Sequence, residues 1–313
     1  MRAVGFSAFG GPEVLDVLEL PDPEPGPGEI RVRVAAATVN PADLLLREGL
    51  TSANMTASAR YVPGLELAGT VDAVGAGADW RVGDSVVVHT TFIPHGRGAM
   101  AELVVVHSDC AARMPRVATP VEAATLPMNG LTALRALDVM ALPAGATLAV
   151  TGAAGAVGGF AVELAAAAGL HVVAVAGASD EELVRALGAT AFVARGDDLA
   201  NRIRAEVRGG VDGAIDAALV GAPLLAAVRD GGQFVAVRPG APEPERGIEV
   251  TLISVRDYLR ARDKLEGLVQ LVDDGHLTLR VAETFPPEWA GDAHRKLSAG
   301  GVRGRLVVVF PSG

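Results

Sequence analysis

The feature that most constrains the fold of this chain is a glycine-rich turn between a short apolar run and an alanine-rich helical pattern. The apolar run covers residues 146–151, and a second apolar run, residues 171–176, begins at the distance that a β-α-β unit requires. The turn and the start of the helix read Gly152-Ala153-Ala154-Gly155-Ala156-Val157-Gly158-Gly159. Because the first N–H groups of such a helix bind anions, residues 152–157 are predicted to hold the pyrophosphate of a dinucleotide.

This turn departs from the usual G-x-G-x-x-G pattern, because Ala153 stands at the first glycine position. The alternative interpretation is a glycine turn that only permits tight packing of a helix on a sheet. The following alternation of apolar runs and helical segments favours the dinucleotide site and predicts a doubly wound parallel sheet of six strands. These strands are expected at residues 146–151, 171–176, 191–194, 213–216, 234–237 and 250–253.

The rest of the chain predicts a second domain of a different class. Residues 2–106 contain short strands separated by Gly and Pro turns, which is typical of a small, irregular β-barrel. A short helix over residues 44–47, an amphipathic helix over 259–272 and a last strand over 305–310 are expected to belong with it. We therefore predict a barrel domain over 1–121 and 258–313, and a dinucleotide-binding domain over 122–257.

Composition excludes several classes of function. The formal net charge of -10 argues against nucleic-acid and anionic-membrane partners, since both favour a basic face. Cys110 is the only cysteine, which excludes an intramolecular disulfide and a cysteine-rich zinc lobe. The sequence has neither a run of roughly 20 apolar residues nor a signal-peptide pattern at Met1–Phe6, so we expect a cytoplasmic protein.

Motifs spread along nearly the whole chain resemble the zinc-independent quinone oxidoreductase branch of the medium-chain dehydrogenase/reductase superfamily. The resemblance implies an α/β fold with a Rossmann domain and a GroES-like β-barrel domain, joined into homodimers through the edges of the nucleotide-domain sheets. Besides the glycine turn, the matching segments are residues 38–43, 63–69, 82–84, 126–133, 187–189 and 301–305.

The resemblance also bears on metal binding. Zinc-dependent relatives hold their metal with a cysteine and a histidine, at positions that appear here as Asn40 and Leu65. Neither side chain replaces a thiolate or an imidazole, so no metal is expected. The six histidines have no ligand spacing, and His89 and His95 are interpreted as loop histidines beside a cleft.

Reduction of an already polarised double bond is the chemistry that the resemblance implies, with hydride passing from NADPH to a quinone or an α,β-unsaturated carbonyl. The substrate oxygen then needs hydrogen-bond donors. Asn40 is the first candidate, as a catalytic and cofactor-binding residue, although an Asx turn before Pro41 is the alternative. Tyr61 is the second candidate, unless it only packs on the core. Asp43 is expected to cap the neighbouring helix, and Glu66 to make a buried polar link.

Further residues are predicted to contact the coenzyme. Thr132 matches the family's contact with the nicotinamide half, unless it only bonds its own helix. Val237 and Arg238 follow the fifth strand, at the edge where open α/β sheets bind ligands. The second strand is followed by Gly177 and Ala178 instead of the acid that reads NAD, which favours NADPH.

The 2′-phosphate of NADPH needs hydrogen-bond donors and positive charge. Ser179 matches a family position for this contact, although Ser179 and Glu182 also fit a capping box. The candidate cations are Arg195, Arg303 and Arg305.

The resulting hypothesis is a zinc-independent, NADPH-dependent reductase of quinones or enones, with an enoyl reductase of natural-product (polyketide) tailoring as one subclass. The alternative is a catalytically silent NADPH-binding structural protein of the same fold.

Overall fold

A computed structural model describes residues 1–51, 55, 59–93 and 95–311 of the chain. Its strands are β1 (Arg2–Gly5), β2 (Asp16–Glu19), β3 (Glu29–Thr38), β4 (Glu66–Val74), β5 (Ser85–His89), β6 (Leu103–His107), β7 (Ala111–Arg113), β8 (Thr147–Thr151), β9 (His171–Ala176), β10 (Ala191–Ala194), β11 (Val211–Asp216), β12 (Val228–Ala236), β13 (Glu249–Leu252), β14 (Val281–Phe285) and β15 (Arg305–Val309). Its helices are α1 (Pro41–Arg47), α2 (Pro120–Ala123), α3 (Pro127–Met140), α4 (Ala156–Ala167), α5 (Glu181–Ala186), α6 (Leu199–Glu206), α7 (Ala222–Leu225), α8 (Arg262–Asp273) and α9 (Ala290–Ala299).

The chain divides into two compact units. Unit 1 contains Met1–Met128, Arg256–Asp273 and Leu279–Gly313, and unit 2 contains Asn129–Val255 and Asp274–Thr278. The sequence predicts changes of domain after residues 121 and 257, whereas the units change after residues 128 and 255. A short return of the chain to unit 2, at residues 274–278, has no counterpart in the predicted division.

Unit 2 is built on the predicted parallel sheet. Its six strands lie in the order β10-β9-β8-β11-β12-β13, and all five pairings are parallel. From β8 the chain adds β9 and β10 on one side, and it then returns to add β11, β12 and β13 on the other. The order of the strands therefore reverses between β8 and β11, which is the position where doubly wound folds bind their ligands.

Unit 1 is built on a mostly antiparallel sheet, in the order β14-β15-β3-β4-β5-β7, with β6 also paired to β3. Strand β3 alternates apolar and charged residues, and its apolar side chains Ile30, Val32 and Val34 are buried. Register shifts interrupt its pairing with β4, and such bulges bend a sheet. These features fit the predicted irregular barrel class, and the fold class predicted for the whole chain is confirmed.

Two predicted elements begin at other residues than expected. Helix α1 begins at Pro41 instead of residue 44, because Asp43 accepts the N–H of Asn40 and so satisfies a donor at the helix start. Helix α8 begins at Arg262 instead of residue 259, after a 3₁₀ turn over Val255–Tyr258.

Candidate functional site

The glycine-rich turn lies at the reversal point of the unit 2 sheet, between the end of β8 and the start of α4. Gly152 has φ +60°, a backbone conformation that favours glycine. The N–H of Gly155 donates to the carbonyl of Gly152 (2.8 Å), and the N–H of Ala153 donates to Val175 at the end of β9 (3.1 Å). These bonds fix the turn against the strand ends.

The start of α4 leaves backbone donors for a ligand. The helix begins at Ala156, and its N-cap residue, Gly155, has no side chain that could occupy the N–H groups of the first turn. The N–H groups in the first turn of a helix have no acceptor inside the helix, and the helix dipole adds positive potential there. Ala156 and Val157 thus lie where an anionic diphosphate is stabilised.

The turn has little space for a Cβ atom at two of its glycine positions. A Cβ atom on Gly158 would lie 2.2 Å from the carbonyl oxygen of Gly152, and one on Gly155 would lie 3.0 Å from the same atom. The Gly158 contact is with backbone that cannot move aside without opening the turn, whereas the Gly155 contact is tight but requires only a small shift. The two positions that match the usual glycine pattern are therefore those where helix α4 packs closely on the turn.

Two residues predicted to read the 2′-phosphate lie at the same edge of this sheet. Ser179 is exposed in a 3₁₀ turn after β9, and Arg195 is exposed directly after β10. The backbone N–H of Arg195 donates to the carbonyl of Ala176, the last residue of β9 (2.6 Å). The ends of β9 and β10 thus lie side by side, and these two exposed residues follow them.

The capping box predicted from Ser179 and Glu182 is wrong. Helix α5 begins at Glu181, and it is the carboxylate of Asp180 that accepts the N–H of Gly177 (3.1 Å). Ser179 lies inside the 3₁₀ turn that this bond closes. Asp180 is buried, so the acid nearest to the end of β9 faces the turn backbone.

The remaining unit 2 candidates lie on other elements. Val237 and Arg238 follow β12 directly, the first half-buried and the second exposed, and the N–H of Val237 donates to the carbonyl of Asp216 (3.5 Å). Thr132 is buried within α3. Val237 and Arg238 therefore share the carboxyl edge of the sheet with the glycine turn.

Unit 1 holds a second polar cluster, which the strand directions assemble. The end of β3 adjoins the starts of β4 and β15, because both neighbours run antiparallel to it. The guanidinium of Arg305 binds the Glu66 carboxylate at 2.5 Å, and both side chains are buried. The other oxygen of Glu66 accepts the N–H of Met128 (2.8 Å). The predicted buried polar link of Glu66 is an ion pair.

Arg305 also organises the neighbouring polar side chains. It donates to Asn40 Oδ1 (2.7 Å) and to the Thr38 hydroxyl (2.5 Å). This placement corrects the expectation that Arg305 binds a 2′-phosphate, because its guanidinium neutralises a buried carboxylate. Arg303, the third candidate cation, is exposed in the loop before β15.

Asn40 is fully buried at the start of α1. Its Nδ2 group donates to Glu66 and to the Thr38 hydroxyl, each at 3.3 Å. These distances exceed the usual range for N–H donors, so the donor side of the amide is held less tightly than its oxygen. Asn40 therefore belongs to the Arg305 cluster, with its oxygen fixed by a charged donor.

Asp43 has the capping role that its position predicts. Its two carboxylate oxygens accept the N–H groups of Asn40 and Gly64, each at 2.7 Å. Complete burial nevertheless raises the pKa of Asp43 to about 7, because desolvation outweighs these two hydrogen bonds. Its charge consequently changes within the neutral pH range.

Tyr61 lies in an aromatic group next to this cluster. Its ring stacks on Phe6, with centroids 5.5 Å apart, and contacts Phe9, with centroids 5.2 Å apart. Only 8% of Tyr61 is exposed. The core-packing alternative thus describes its ring, and its catalytic role stays a prediction.

The sequence did not predict the burial and the hydrogen-bond partners of two histidines. His89 is the last residue of β5 and not a loop residue, and its Nδ1–H donates to the carbonyl of Leu65 (3.1 Å). Burial lowers its pKa. His294 accepts from Arg47 (3.3 Å), and burial with this cation lowers its pKa to about 3. Neither histidine has a sequence signal, because its partners are distant in the chain. His95 is exposed.

The residues of unit 1 do not fit a zinc ion. Asn40 and Leu65 stand where zinc-dependent relatives carry ligands, and the cation that Glu66 and Asn40 bind is the guanidinium of Arg305. Across the described ranges, no group of three or more His, Cys, Asp or Glu residues is arranged to hold a metal ion.

Two protein-family models match the chain. One describes an alcohol dehydrogenase GroES-like domain and covers residues 26–116, and the other describes a zinc-binding dehydrogenase and covers residues 187–308. In the described part of the protein, no helix has the length and apolar character needed to cross a membrane.

Similar curated proteins cover most of the chain. A chloroplast envelope quinone oxidoreductase homologue of Arabidopsis thaliana is 28% identical over 98% of each chain. A probable mitochondrial zinc-binding oxidoreductase of Arthroderma benhamiae is 31% identical over 79% of each chain.

Solved structures are similar over the whole length. A mycobacterial protein in complex with NADPH is 27% identical, with a TM-score of 0.87 over 99% of this chain and 100% of the other. The CurK enoyl reductase is 25% identical, with a TM-score of 0.89 over 99% of each chain.

Proposed function

The chain belongs to the quinone oxidoreductase branch of the medium-chain dehydrogenase/reductase superfamily, and from this premise we propose that it is an NADPH-dependent reductase of quinones or α,β-unsaturated carbonyls. The fold and the relatives support an oxidoreductase of this superfamily that uses a nicotinamide coenzyme. The choice of NADPH and the acceptor class are our proposal.

One observation carries the proposal, namely the glycine turn at the reversal point of the parallel sheet. Its backbone leaves no room for a Cβ atom at Gly158, and it ends in the first turn of α4, where backbone N–H groups have no acceptor inside the helix. A backbone turn of this kind matches a diphosphate, which needs N–H donors more than it needs side chains. We infer that Gly152 through Val157 bind the coenzyme diphosphate.

The preference for NADPH is supported at the end of β9. An NAD site needs a carboxylate there to accept the ribose 2′-hydroxyl. The nearest acid, Asp180, is buried and accepts the N–H of Gly177, whereas Ser179 and Arg195 are exposed. The exposed acids Glu181 and Glu182 lie beyond this turn, at the start of α5. A hydroxyl and a guanidinium suit a 2′-phosphate.

When bound, NADPH supplies a hydride to the electron-poor carbon of the acceptor. The chain's own part is to orient the coenzyme and to donate hydrogen bonds to the oxygen on which charge develops. Asn40 and Tyr61 remain the predicted donors, and Asn40 is supported by the loose bonds on its Nδ2 side. Thr132, Val237 and Arg238 remain the predicted contacts of the nicotinamide half.

Quinones and conjugated enones are both supported as acceptors by proteins similar to this chain. The Arabidopsis relative is described as a quinone oxidoreductase homologue, and the CurK protein as an enoyl reductase. Both reactions place a hydride on a double bond polarised by a carbonyl, so one site chemistry serves either. A cytoplasmic location and a homodimer, formed at the exposed edge strand β13, stay predictions.

The proposal is tested by following NADPH absorbance with 1,4-benzoquinone, 9,10-phenanthrenequinone and a panel of enones. We expect oxidation of NADPH by at least one acceptor, with NADH used less efficiently. Tight NADPH binding without turnover by any acceptor would instead favour the catalytically silent structural protein. Absence of binding by either coenzyme would remove the dinucleotide site itself.

A further inference from the structure

Two threonine–aspartate pairs join strands β8 and β11, one at each end of the strands. In the register of these strands, Thr151 lies opposite Asp216 at the carboxyl end. Thr147 begins β8 and bonds Asp212 near the start of β11. The same two residue types therefore cross-link the same two strands four residues apart, once at each edge of the sheet.

The pair at the amino edge only ties the strands together. The Thr147 hydroxyl donates to Asp212 (2.8 Å) and accepts the N–H of Asp212 (3.0 Å), while Asp212 also accepts the N–H of Thr147 (2.7 Å). Arg229 on β12 adds an ion pair to Asp212 at 2.7 Å. All of these contacts stay within the strands.

The pair at the carboxyl edge also binds a loop. Asp216 accepts the Thr151 hydroxyl (2.7 Å) and the N–H groups of Ala218 (3.3 Å), Val220 (3.0 Å) and Gly221 (2.8 Å). The Thr151 hydroxyl in turn accepts the N–H of Ala218 (3.2 Å). Thr151 and Asp216 are both buried, so these bonds are protected from water.

The bound loop, residues 217–221, lies directly against the glycine turn. A Cβ atom on Gly152 would lie 3.4 Å from both the carbonyl oxygen of Ala217 and the Cβ of Ala218. Leu219, at the middle of the loop, has φ +59° and is 45% exposed. A residue other than glycine in this conformation costs free energy, and such strain persists where surrounding bonds over-determine it. Here the bonds from Val220 and Gly221 to Asp216 do so.

We propose that Thr151 and Asp216 are positioning residues for the coenzyme. They fix loop 217–221 as a wall beside the diphosphate turn, so that the crevice between the ends of β8 and β11 keeps its shape without the ligand. This inference rests on the proposed NADPH-binding function. Thr151 acts through the loop and the turn that follows it, because its hydroxyl is consumed by Asp216 and Ala218.

Replacement of Thr151 by valine removes the bridging hydroxyl and keeps the shape of the side chain. Ala218 then loses its better acceptor, while Asp216 keeps its three backbone donors. We expect the loop to loosen without unfolding of the sheet, and the dissociation constant for NADPH to rise about 10-fold, which corresponds to the loss of one hydrogen bond. The Michaelis constant for the acceptor should stay within about 2-fold.

The matched control is Thr147→Val, which removes the same hydroxyl from the same strand at the other edge. The experiment compares wild type, Thr151→Val, Thr151→Ser and Thr147→Val by titration of the intrinsic fluorescence of NADPH and by thermal unfolding. Thr151→Ser keeps the hydroxyl and should bind like wild type. Thr147→Val should be destabilised to a similar degree but should bind NADPH within about 2-fold of wild type, because its bonds do not reach the loop.

Equal dissociation constants for the two valine variants would overturn the positioning role, and so would a Thr151→Ser variant as weak as Thr151→Val. If Thr151→Val does not fold, Asp216→Asn gives the same comparison, with Asp212→Asn as its control. A wild-type protein that binds neither NADPH nor NADH would refute the proposed function together with this inference. A wild-type protein that binds NADPH while both valine variants behave alike would refute the inference alone.

Discussion

The polar site of unit 2 consists of backbone groups, whereas that of unit 1 consists of side chains. In unit 2 the glycine turn contributes backbone groups, and its close packing depends on the absence of side-chain atoms at Gly155 and Gly158. In unit 1 the cluster around Arg305 consists of buried charged and polar side chains, with Glu66 as the counterion. The first site is limited by space, and the second by the balance of buried charge.

The two sites therefore differ in the changes of shape and of charge that they tolerate. A backbone site loses its shape when one methyl group is added, whereas its electrostatics are insensitive to pH because no group in it titrates. A buried ion-pair site tolerates small changes of shape but becomes unstable when one partner loses its charge. The unit 2 site is therefore tested best by added side-chain volume, and the unit 1 site by changes of charge.

The largest effect is expected from Gly158→Val. The added side chain would collide with the backbone of Gly152, so the turn must open and coenzyme binding should be lost completely. The measurement is a fluorescence titration with NADPH. Gly267→Ala is the control, because a Cβ at this exposed site in α8 meets nothing within 4 Å and should stabilise the helix by about 1 kcal/mol. A Gly158→Val variant that binds normally would contradict the steric account.

Arg305→Met tests the charge balance in unit 1. Removal of the guanidinium leaves the Glu66 carboxylate buried without its cation, which costs about 3–5 kcal/mol of unfolding free energy. Urea unfolding measures this loss, and the double variant Arg305→Met with Glu66→Gln should recover part of it. A single variant as stable as wild type would show that the pair does not stabilise unit 1.

Asp43 gives the pH dependence of the same region. Its pKa, raised to about 7 in the folded protein, lies above the ordinary value of 3.8, so the folded state holds a proton that the unfolded chain has released. Between these two values the unfolding free energy should therefore fall as pH rises, by at most about 1.4 kcal/mol per pH unit, and should level off above about pH 7.

The comparison with Asp43→Asn isolates this contribution. Thermal unfolding of both proteins at about pH 5 and about pH 8 should show that wild type loses stability relative to the variant at the higher pH. We also expect Asp43→Asn to be less stable than wild type, because its NH2 group cannot accept the backbone N–H that the replaced carboxylate oxygen accepts. Parallel pH profiles would contradict the raised pKa.

The smallest effect is expected from Arg195→Ala, which tests side-chain recognition at the edge of the backbone site. If the guanidinium meets the 2′-phosphate, the Michaelis constant for NADPH should rise about 10-fold, while that for NADH stays within about 2-fold. Arg208→Ala is the control, because this exposed arginine precedes β11 and lies at the amino edge of the sheet. Equal effects on both coenzymes would remove Arg195 from the site.

The parts of the molecule that depend on local pattern could be predicted from the sequence. The order of apolar runs and glycine turns predicted all six strands of unit 2, and the bounds of β9 and β10 match residue for residue. The turn itself was predictable because glycine spacing reports directly on backbone geometry. The capping role of Asp43 was predictable for the same reason, since a cap involves neighbours in the chain.

The parts that depend on contacts between distant residues could not be predicted. Arg305 and Glu66 lie 239 positions apart, and the sequence around either residue does not predict that they pair. Its basic side chain therefore suggested an anion ligand. Thr151 and Asp216 lie 65 positions apart and became a pair only once the strand register was known. In the same way, His89 belongs to a strand because of its pairing with Glu66, not because of its own neighbours in sequence.

We infer that the glycine turn of unit 2 holds the diphosphate of NADPH. A crystal structure of the protein with NADPH tests it most directly. We predict that the diphosphate lies at the backbone N–H groups of Ala156 and Val157, with the 2′-phosphate beside Ser179 and Arg195. Coenzyme bound elsewhere, or a turn left without ligand at saturating NADPH, would contradict the account.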